Sequence, residues 1–466
     1  TNKYKLNLWI TDEVDGNYSG QVFSGKLRVE VSQEKQKLAT VLLKDSANNI
    51  NTDDPEQTFI TGENPNNYIW YSGKLWRAVS IDPSDNSVKL VTQWDISSIP
   101  YNNNNDSSFE GSHMEMWLND TTVDGFLGNL REPEKFIKMD SKWNASMGGT
   151  SKPPGKEEGG TIVENPVGLL NYYEYTMSHS GVLRENGYLN NGLIWWTLTP
   201  YTIDTLIGVD ENGATYSDVA QASRGIRPSI VLKPNISIVS GNGTEENPYR
   251  LYGDTDANLE GTLLNTRYSG EYIRFGSDEN NLYRIVSHET EGLTKITSAE
   301  PLKENNNFKT SIFGDNTVFS SNNTIGTFLN GEYLTDYVGN NYVDMIEDST
   351  TWYLGVVPNA QNYRLSKYTD IDMTGTTTST KSKVGLLRLG ELMSGQFEVD
   401  SNNFSYWTLT RVTENTSIWS IHAKCYGYFP TYTAFSSIKP ALNLKSTVII
   451  TSGDGTLQNP FNIKLG

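Results

Sequence analysis

Alternating apolar and polar residues predict β-strands along much of the chain. Residues 4–10 and 26–31 place apolar side chains at every second position, which predicts two strands around a turn rich in Gly, Asp and Asn. Residues 64–81 and 271–288 each predict two strands joined by a short polar turn. Helical spacing first appears at residues 33–44 and stays confined to short segments. Because antiparallel turns dominate this mixture, the pattern predicts an α+β fold of mainly antiparallel sheets with a few short helices.

Further short helices are expected at corresponding places in the two halves of the chain. Residues 256–265 repeat the leucine spacing of the first predicted helix. Residues 114–130 and 325–346 carry apolar side chains that fit one helical face. Residues 172–178 and 388–394 each predict one more helical segment, and both follow the letters VGLL. The predicted helices therefore occur in pairs.

One stretch of the chain occurs twice at a nearly constant offset. Residues 196–249 and 407–461 both begin with the letters WTLT and end on a turn of the form SGxGTxxNP. Trp196 and Trp407 lie 211 residues apart, and the starts of the two turns lie 212 residues apart. So many matched positions indicate a tandem duplication. Since the same three residues follow both tryptophans, we expect the two indole rings to lie in equivalent cores.

The duplication sets the expected domain organisation. Residues 34–252 form the first unit and residues 253–466 the second. Residues 1–33 are expected to be a pair of β-strands, a remnant or edge of an upstream β domain, because an isolated hairpin is marginally stable in water. The two units differ at residues 148–160 and 374–383, whose low complexity predicts surface loops.

The charge balance opposes nucleic acid as a partner. The chain of 466 residues has 37 Lys and Arg against 55 Asp and Glu, and its net charge of −18 repels phosphate. Charged residues make up only 20% while Tyr and Trp are plentiful, a composition typical of extracellular binding proteins. The single cysteine, Cys425, excludes an intramolecular disulfide and a cysteine-based metal cluster. We expect a piece of a longer protein, with no segment that inserts into a membrane.

Known catalytic motifs are absent from the sequence, so we expect no enzymatic activity. The sequence contains no HExxH, GxSxG or CxxC, and its four histidines lack the spacing of metal ligands. We expect no cofactor. Calcium is the alternative, because residues 253–261 and 210–213 are rich in side chains that carry oxygen. Neither stretch completes an EF-hand, and ordinary turns account for both. In the second, Asn212 and Gly213 suit the tight primed turn of a hairpin over residues 206–217.

The order of these motifs resembles a family of Gram-positive bacterial surface proteins. NPNNYIWYSGKLWR is followed by WLN, VGLL, WTLT, a hairpin and GIRPSIVLKPNISIVSGNGTEENPYRL, which is similar to repeats of the DUF6273 type. The resemblance covers residues 34–466, although the letters SIKP at 437–440 replace the GIRP form in the second unit. The order of the tail is also similar to C-type-lectin-like modules. The resemblance implies an extracellular, cell-surface protein whose partner is a glycan or a protein of a host or neighbouring cell.

Aromatic residues in the segments that differ between the units are the candidate ligand contacts. The flanking strands match, whereas residues 200–224 and 411–436 do not, as expected of two binding faces on one scaffold. Tyrosines beside Asn, Ser and Thr suit sugar stacking or protein contact, and ordinary surface tyrosines are the alternative. The candidate ligand-binding residues are Tyr201, Tyr216, Arg224, Tyr426, Tyr428 and Tyr432.

Three functions are compatible with these patterns. The first is a non-enzymatic, monomeric adhesin or ligand-binding ectodomain. The second is a structural spacer or fibre subunit of the cell surface. The third is an extracellular carbohydrate-active enzyme, for which acidic pairs such as Asp53-Asp54 offer the two carboxylates of glycoside hydrolysis. With 55 acidic residues in the chain, solvated surface carboxylates are the simpler explanation of such pairs.

Overall fold

The computed structural model describes most of the chain from Lys35 onward. The described residues are 35–46, 49–102, 104–148, 161–179, 187–277, 280–357, 378–393, 404–412 and 416–466. The chain divides into a unit of residues Thr1–Lys35 and a unit of residues Gln36–Gly466. The pair of strands expected within residues 1–33 lies outside the described residues. In the larger unit we call residues 36–252 the first half and residues 253–466 the second half.

β-Strands predominate over short helices in the described residues, in agreement with the predicted α+β class. The strands of the first half are β1 (Ile50–Asp54), β2 (Gln57–Ile60), β3 (Tyr68–Tyr71), β4 (Lys74–Ile81), β5 (Val88–Thr92), β6 (Ser97–Pro100), β7 (Lys142–Asn144), β8 (Ile162–Glu164), β9 (Val167–Gly168), β10 (Trp195–Pro200), β11 (Thr205–Val209), β12 (Thr215–Val219), β13 (Ser223–Ile226), β14 (Ser229–Leu232), β15 (Ile238–Ser240) and β16 (Tyr249–Leu251).

The second half continues the series with shorter strands. They are β17 (Tyr272–Arg274), β18 (Leu282–His288), β19 (Thr294–Ser298), β20 (Lys303–Glu304), β21 (Asn307–Phe308), β22 (Thr310–Ser311), β23 (Thr350–Leu354), β24 (Val356–Val357), β25 (Thr378–Ser382), β26 (Val384–Leu386), β27 (Ser405–Val412), β28 (Ile418–His422), β29 (Gly427–Tyr428), β30 (Ser436–Ser437), β31 (Pro440–Leu444), β32 (Val448–Ser452) and β33 (Asn462–Leu465).

Helices in the described residues are at most eight residues long. The α-helices are α1 (Leu38–Asp45), α2 (His113–Asn119), α3 (Pro133–Phe136), α4 (Tyr172–Met177), α5 (Thr324–Leu329) and α6 (Asn340–Val343). Three 3₁₀ turns span Leu127–Asn129, Leu264–Thr266 and Thr290–Gly292, and a π-helical turn spans Tyr333–Val338.

Each half contains a large sheet whose central strands follow the same order. In the first half β3-β4-β5-β14-β9 is part of a nine-stranded sheet and ends at its edge, and in the second half β17-β18-β19-β31-β26 forms a five-stranded sheet. All neighbouring pairs in these two series are antiparallel. The turn between β3 and β4 is tight because Ser72 and Gly73 both have positive φ, 52° and 71°, which matches the twist of a hairpin.

A second sheet in each half carries the repeated WTLT letters. Its order is β12-β11-β10-β13-β6 in the first half and β29-β28-β27-β30-β22 in the second. The pairs β10–β13 and β27–β30 are parallel, and β10 and β27 each pair antiparallel with the next strand along the chain. Trp196 and Trp407 are 0% and 1% exposed, so the prediction that both rings are buried is confirmed.

Two matched asparagines end the helices within residues 114–130 and 325–346 and attach them to the large sheets. The Asn119 side chain accepts from the backbone N–H of Val167 at 2.9 Å and donates to its carbonyl at 3.0 Å. Asn330 makes the same two hydrogen bonds with Val384 at 3.0 and 3.1 Å. Each asparagine stands at the end of one short helix, so residues 114–130 and 325–346 do not form the long helices that their apolar spacing suggested.

A buried Lys–Glu pair lies behind each large sheet. In the first half Glu174 forms a capping box with Asn171 at the start of α4, and it also pairs with Lys89 on β5. In the second half Glu391 pairs with Lys295 on β19 at 2.8 Å, and its other oxygen accepts a backbone N–H three residues earlier at 2.7 Å. Both lysines lie over a tryptophan ring, at 4.8 Å and 5.3 Å from the ring centroid.

Those tryptophans lie directly on a glycine of the neighbouring strand. A Cβ atom on Gly168 would lie 2.4 Å from the ring of Trp143, and one on Gly385 would lie 2.5 Å from the ring of Trp352. Both glycines are the second residue of the VGLL letters, whose strands β9 and β26 pair with β14 and β31. Glycine is therefore required at these positions because any larger residue would collide with an indole ring.

The two halves are joined through buried charged side chains. Lys74, at the start of β4, donates to the carbonyl of Ser269 at 2.8 Å, and Arg284 donates to the carbonyl of Gly73 at 3.2 Å. Lys74 is 0% exposed, and burial, reinforced by the neighbouring Arg284 charge, lowers its pKa to about 7. Because both side chains donate to backbone carbonyls of the opposite half, these hydrogen bonds hold the backbones of the two halves together.

An acidic residue bridges the halves nearby. Asp256 accepts two hydrogen bonds from Arg131 of the first half, at 2.7 and 2.8 Å, and one from Arg267 of the second half at 2.7 Å. The bidentate geometry with Arg131 is the strong form of an arginine–carboxylate pair. The Arg131 side chain, followed by that of Arg267, holds the pKa of Asp256 at about 2, so the carboxylate is charged at neutral pH.

Two predicted helices do not form, for a backbone reason. Residues 256–265 contain Asn258 and Gly261 at φ 60° and 81°, and only a 3₁₀ turn follows them. Residues 388–394 contain Gly390 at φ 85° within a described turn. A positive φ ends a right-handed helix, so the helices that the leucine spacing predicted in both segments were wrong.

Two loop predictions also need correction. Within residues 374–383, which we expected to be a surface loop, β25 pairs with β23 over five residue pairs. The hairpin at residues 206–217 is confirmed, but its turn is not a two-residue primed turn. Val209 faces Thr215 across the hairpin, and within the turn only Gly213 has a positive φ, 81°. The Asp210 side chain accepts two backbone N–H groups at 2.9 Å, which stabilises this wider turn.

Candidate functional site

The turn between β28 and β29 packs into the second sheet of the first half. Its Lys424 carbonyl accepts the backbone N–H of Ile194 at 2.9 Å, and its Cys425 carbonyl accepts the Ser98 hydroxyl at 3.0 Å. Cys425 is fully buried and has a φ of 66°, a conformation that this tight turn requires. The turn therefore serves as a hydrogen-bonded contact between the halves.

Three of the six predicted ligand-binding residues come together beside this turn. Arg224 of β13 forms an antiparallel bridge with Tyr426, and its guanidinium carbon lies 5.8 Å from the centre of the Tyr426 ring. Arg224 also pairs with Asp218, and its positive charge acts on the nearby Tyr216 phenol. Burial raises the pKa of Tyr216, against the effect of the guanidinium, so the phenol is neutral at physiological pH.

A fourth predicted residue, Tyr428, extends this cluster to the surface. It lies on β29 and is 48% exposed, whereas Tyr426 is only partly exposed and stacks on His422 with ring centroids 4.3 Å apart. Phe429, which follows it, is 43% exposed and meets the buried Trp419 edge-on at 4.6 Å. Burial, followed by the charge of Lys424, lowers the pKa of His422, which favours a neutral imidazole.

We call Tyr216, Arg224, Tyr426 and Tyr428 the aromatic seam. Its residues come from β12, β13 and the β28–β29 hairpin, so both halves contribute. The sequence suggested two separate binding faces, one in each unit, because the residues lie about 200 positions apart. In the fold they belong to one surface, since the second hairpin is packed against the first half.

The other two predicted residues lie elsewhere. Tyr201 follows β10 in the turn to β11, where its N–H donates to the carbonyl of Thr205 at 2.8 Å and its side chain is 49% exposed. Tyr432 packs against the hydrophobic core of the second half, and its carbonyl accepts the N–H of Phe313 at 2.8 Å. Neither of these residues contributes to the aromatic seam.

A buried carboxyl group lies behind the seam. Asp95 is 0% exposed, and burial raises its pKa to about 7, although Arg227 and the Cys425 thiol both oppose this shift. A Cβ atom on Gly225, next to Arg224, would lie 2.1 Å from an Asp95 oxygen. Nothing in the residues around Asp95 signals that it would be buried, so the sequence alone does not point to it.

The sequence analysis also missed Phe429 as a surface aromatic. It belongs to the same run, CYGYFPTYT, that supplied three of the candidate tyrosines. Tyr426 and Tyr428 are two residues apart, so strand alternation would place both rings on one face. The run does not follow that alternation. Tyr426 contacts the first half while Tyr428 and Phe429 face solvent.

The two aspartates of the first calcium candidate are engaged by the protein itself. Asp256 is held by Arg131 and Arg267, and Asp254 accepts the N–H of Ser72 at 3.1 Å. In the second candidate Asp210 accepts N–H groups of its own turn. Within the described parts of the chain, no group of three or more His, Cys, Asp or Glu side chains is placed to hold a metal ion.

The aromatic seam offers chemistry suited to binding. It combines the exposed phenol of Tyr428 with the partly exposed Tyr426 and Tyr216 rings and the Arg224 guanidinium, so it offers both aromatic and hydrogen-bonding groups. Such groups fit the faces and hydroxyls of sugars, and they also fit protein surfaces. None of the helices among the described residues is long and apolar enough to cross a membrane. Comparisons of the chain with family models, curated proteins and solved structures find no match.

Proposed function

We propose that this chain is a non-enzymatic, ligand-binding ectodomain of a Gram-positive bacterial surface protein. Its partner is a glycan or a protein on a host or neighbouring cell. The observation that carries this proposal is the aromatic seam, in which Arg224 lies beside the Tyr426 ring and Tyr428 of the same hairpin is exposed. The proposal includes an extracellular location and a monomeric state.

The rigidity of the seam supports a binding role. Its residues lie on paired strands, and Arg224 is fixed by Asp218 and by the carbonyl of Ser223, which accepts from it at 2.8 Å. A side chain already fixed in its bound conformation loses little entropy when a ligand arrives. Exposed aromatic residues on such a frame give contact area at a low entropic cost.

Our proposal also includes a tandem duplication of one lectin-like unit. Support comes from the shared strand orders, the matched Lys–Glu pairs and the two tryptophans that lie on VGLL glycines. The units are residues 34–252 and 253–466. They remain similar in the strands that build the sheets and differ in the hairpins, as expected when a scaffold is kept while its surface diverges.

A pair of matched substitutions tests the binding role. Tyr428→Ser removes the exposed ring of the seam, and Tyr201→Ser removes a ring of similar exposure that lies outside it. We expect Tyr428→Ser to reduce adhesion to host cells or signal on a glycan array while Tyr201→Ser leaves both unchanged. Both variants should keep the wild-type melting temperature because neither ring is buried. Equal behaviour of the two variants, with both folded, would refute the role of the seam.

A structural spacer is the second candidate function. It is favoured by the joint between the halves, where Lys74 and Arg284 donate to backbone carbonyls of the opposite half. A rigid joint suits a protein that holds another domain away from the cell wall. In that case removing residues 36–466 from the full-length protein would shorten its reach, and the Tyr428→Ser variant would have no effect on adhesion.

A further inference from the structure

A cleft between the two halves has an aromatic wall that no residue of the seam contributes to. Its volume is about 140 Å³, comparable to a cavity that accepts one six-membered ring. Both halves contribute to its lining, which includes Trp70, Trp94, Glu245, Tyr272, Glu300 and Gln458. The cleft is open to solvent on one side, because Gln458 at its edge is exposed.

Trp94 is the most unusual residue of this cleft. Its neighbours Gln93 and Asp95 are 6% and 0% exposed, yet the tryptophan between them is partly exposed to the cleft. Polar residues normally face solvent and tryptophan normally faces the core, so the arrangement is inverted here. Among the described residues, Trp94 has no hydrogen bond and no ring contact. A partly exposed indole ring whose N–H group has no hydrogen-bond partner among the described residues therefore lies in the cleft lining between two buried neighbours.

The opposite wall carries a pair of aromatic rings from the two halves. Trp70 of β3 and Tyr272 of β17 have ring centroids 6.4 Å apart and planes inclined by 29°. Beneath them Arg284 lies 4.2 Å from the Tyr272 ring, and its nitrogens donate to the Tyr272 hydroxyl and to backbone carbonyls. The guanidinium is thus occupied by the protein, so this wall presents mainly apolar surface.

Carboxylate and amide groups form the polar side of the cleft. Glu245 accepts a weak hydrogen bond from the Tyr68 hydroxyl at 3.3 Å and is otherwise turned to the cleft rim. Glu300 pairs with Lys303 at 2.5 Å, and both side chains are about one-third exposed (41% and 33%). Glu300 lies just after the end of β19, and Trp94 lies just after the end of β5. Since β5 and β19 are matching strands of the two large sheets, equivalent positions contribute a carboxylate and an indole ring to the cleft.

We infer that this cleft binds a single pyranose unit of a glycan. A pyranose ring has an apolar face of C–H groups that packs on indole and phenol rings, and equatorial hydroxyls that bond to planar acceptors. The cleft supplies both kinds of surface at the size of one ring. Its two glutamates disfavour an anionic ligand, and the positive charges of Arg284 and Lys303 offset the attraction for a cation. A neutral sugar therefore fits best.

This inference extends the proposed function, because it adds a second site and names the ligand class that the site takes. The test uses the folded chain and four probes, the methyl glycosides of glucose, galactose, mannose and N-acetylglucosamine. Binding is measured by saturation-transfer NMR and by calorimetric titration. We expect at least one glycoside to bind, and Trp94→Ala to weaken it about tenfold or more, the loss expected for a ring contact and an indole hydrogen bond together. Glu300→Gln should weaken it less, because an amide retains one acceptor.

The seam variant Tyr428→Ser separates the two sites. Loss of glycoside binding in Trp94→Ala but not in Tyr428→Ser supports the cleft. Loss of glycoside binding in Tyr428→Ser alone would overturn the inference about the cleft, as would the absence of binding of all four glycosides to the wild-type chain. In either case the role of the seam is still tested separately, by the adhesion assay. Should Trp94→Ala fail to fold, Glu245→Gln at the partly exposed rim takes its place, and unchanged affinity in that variant and in Glu300→Gln would overturn the inference.

Discussion

Trp196 and Trp407 can be compared directly, because most contributions of the two rings to the free energy of unfolding are the same. Trp196 and Trp407 occupy the same position of β10 and β27, and each meets one aromatic ring edge-on, at 6.2 Å and 5.5 Å. They differ in one interaction. The indole N–H of Trp407 donates to the carbonyl of Ser311 at 2.9 Å, whereas that of Trp196 has no hydrogen-bond acceptor in the described residues.

Replacing each tryptophan by phenylalanine isolates that hydrogen bond. Both substitutions leave a cavity of similar size, so the cavity cost is common to the two. Trp407→Phe also breaks a hydrogen bond, at a cost of about 0.5–1.5 kcal/mol, and Trp196→Phe instead removes a buried donor that had no partner. We therefore expect Trp407→Phe to lower the free energy of unfolding by about 1–3 kcal/mol more than Trp196→Phe does.

Urea unfolding followed by far-UV circular dichroism measures this difference. The alanine variants at both positions serve as controls and should each cost about 3–5 kcal/mol, because they remove the whole ring. If Trp196→Phe proves as costly as Trp407→Phe, the hydrogen bond to Ser311 does not stabilise the fold, and the reasoning from the unpaired N–H is wrong.

Four further predictions concern three ionisable side chains and one glycine. Burial raises the pKa of Asp95 to about 7 from 3.8, so the unfolded chain binds fewer protons in this range and stability should fall as pH rises from 4 to 7; Asp95→Asn should flatten that slope in pH-dependent melting. Burial, then the Arg284 charge, lowers the pKa of Lys439 to about 7 from 10.5, so stability should rise between these pH values, and Lys439→Met should reduce the rise, to which Lys74 also contributes. Gly385→Ala should cost about 1–3 kcal/mol in urea unfolding, since its Cβ would lie 2.5 Å from an indole ring, and a neutral result would show that the ring can move. Asp256→Asn should destabilise the chain by about 1 kcal/mol at low salt and less at high salt, and a loss independent of salt would argue against an ionic bridge.

The strands could be predicted from the sequence because their signal is local. Residues 64–81 alternate around a Ser-Gly turn, and the structure has β3 and β4 on either side of Ser72 and Gly73. The burial of Trp196 and Trp407 followed from the repeat, since the same three residues after each ring predict the same environment. Both signals, local periodicity and an internal repeat, can be read from a single amino-acid sequence.

The helices were harder to predict because the deciding contacts are distant in sequence. Asn119 ends its helix by binding the backbone of Val167, 48 residues later, and apolar spacing around it carries no sign of that partner. The shared position of Arg224 and Tyr426 was also beyond prediction, because it depends on how the two halves pack. The position of Trp94 between two polar residues was a signal that could have singled it out.

The way the β28–β29 turn enters the first half has a consequence for exchange between related genes. Glu211 of one hairpin pairs with Lys424 of the other at 2.6 Å, and Ile194 donates to the Lys424 carbonyl. A recombination event that replaced one half alone would bring in a hairpin never selected against its new neighbour. Such chimaeras should fold well only when Glu211 and Lys424 are inherited together. We therefore expect the two halves to be exchanged between genes as a pair.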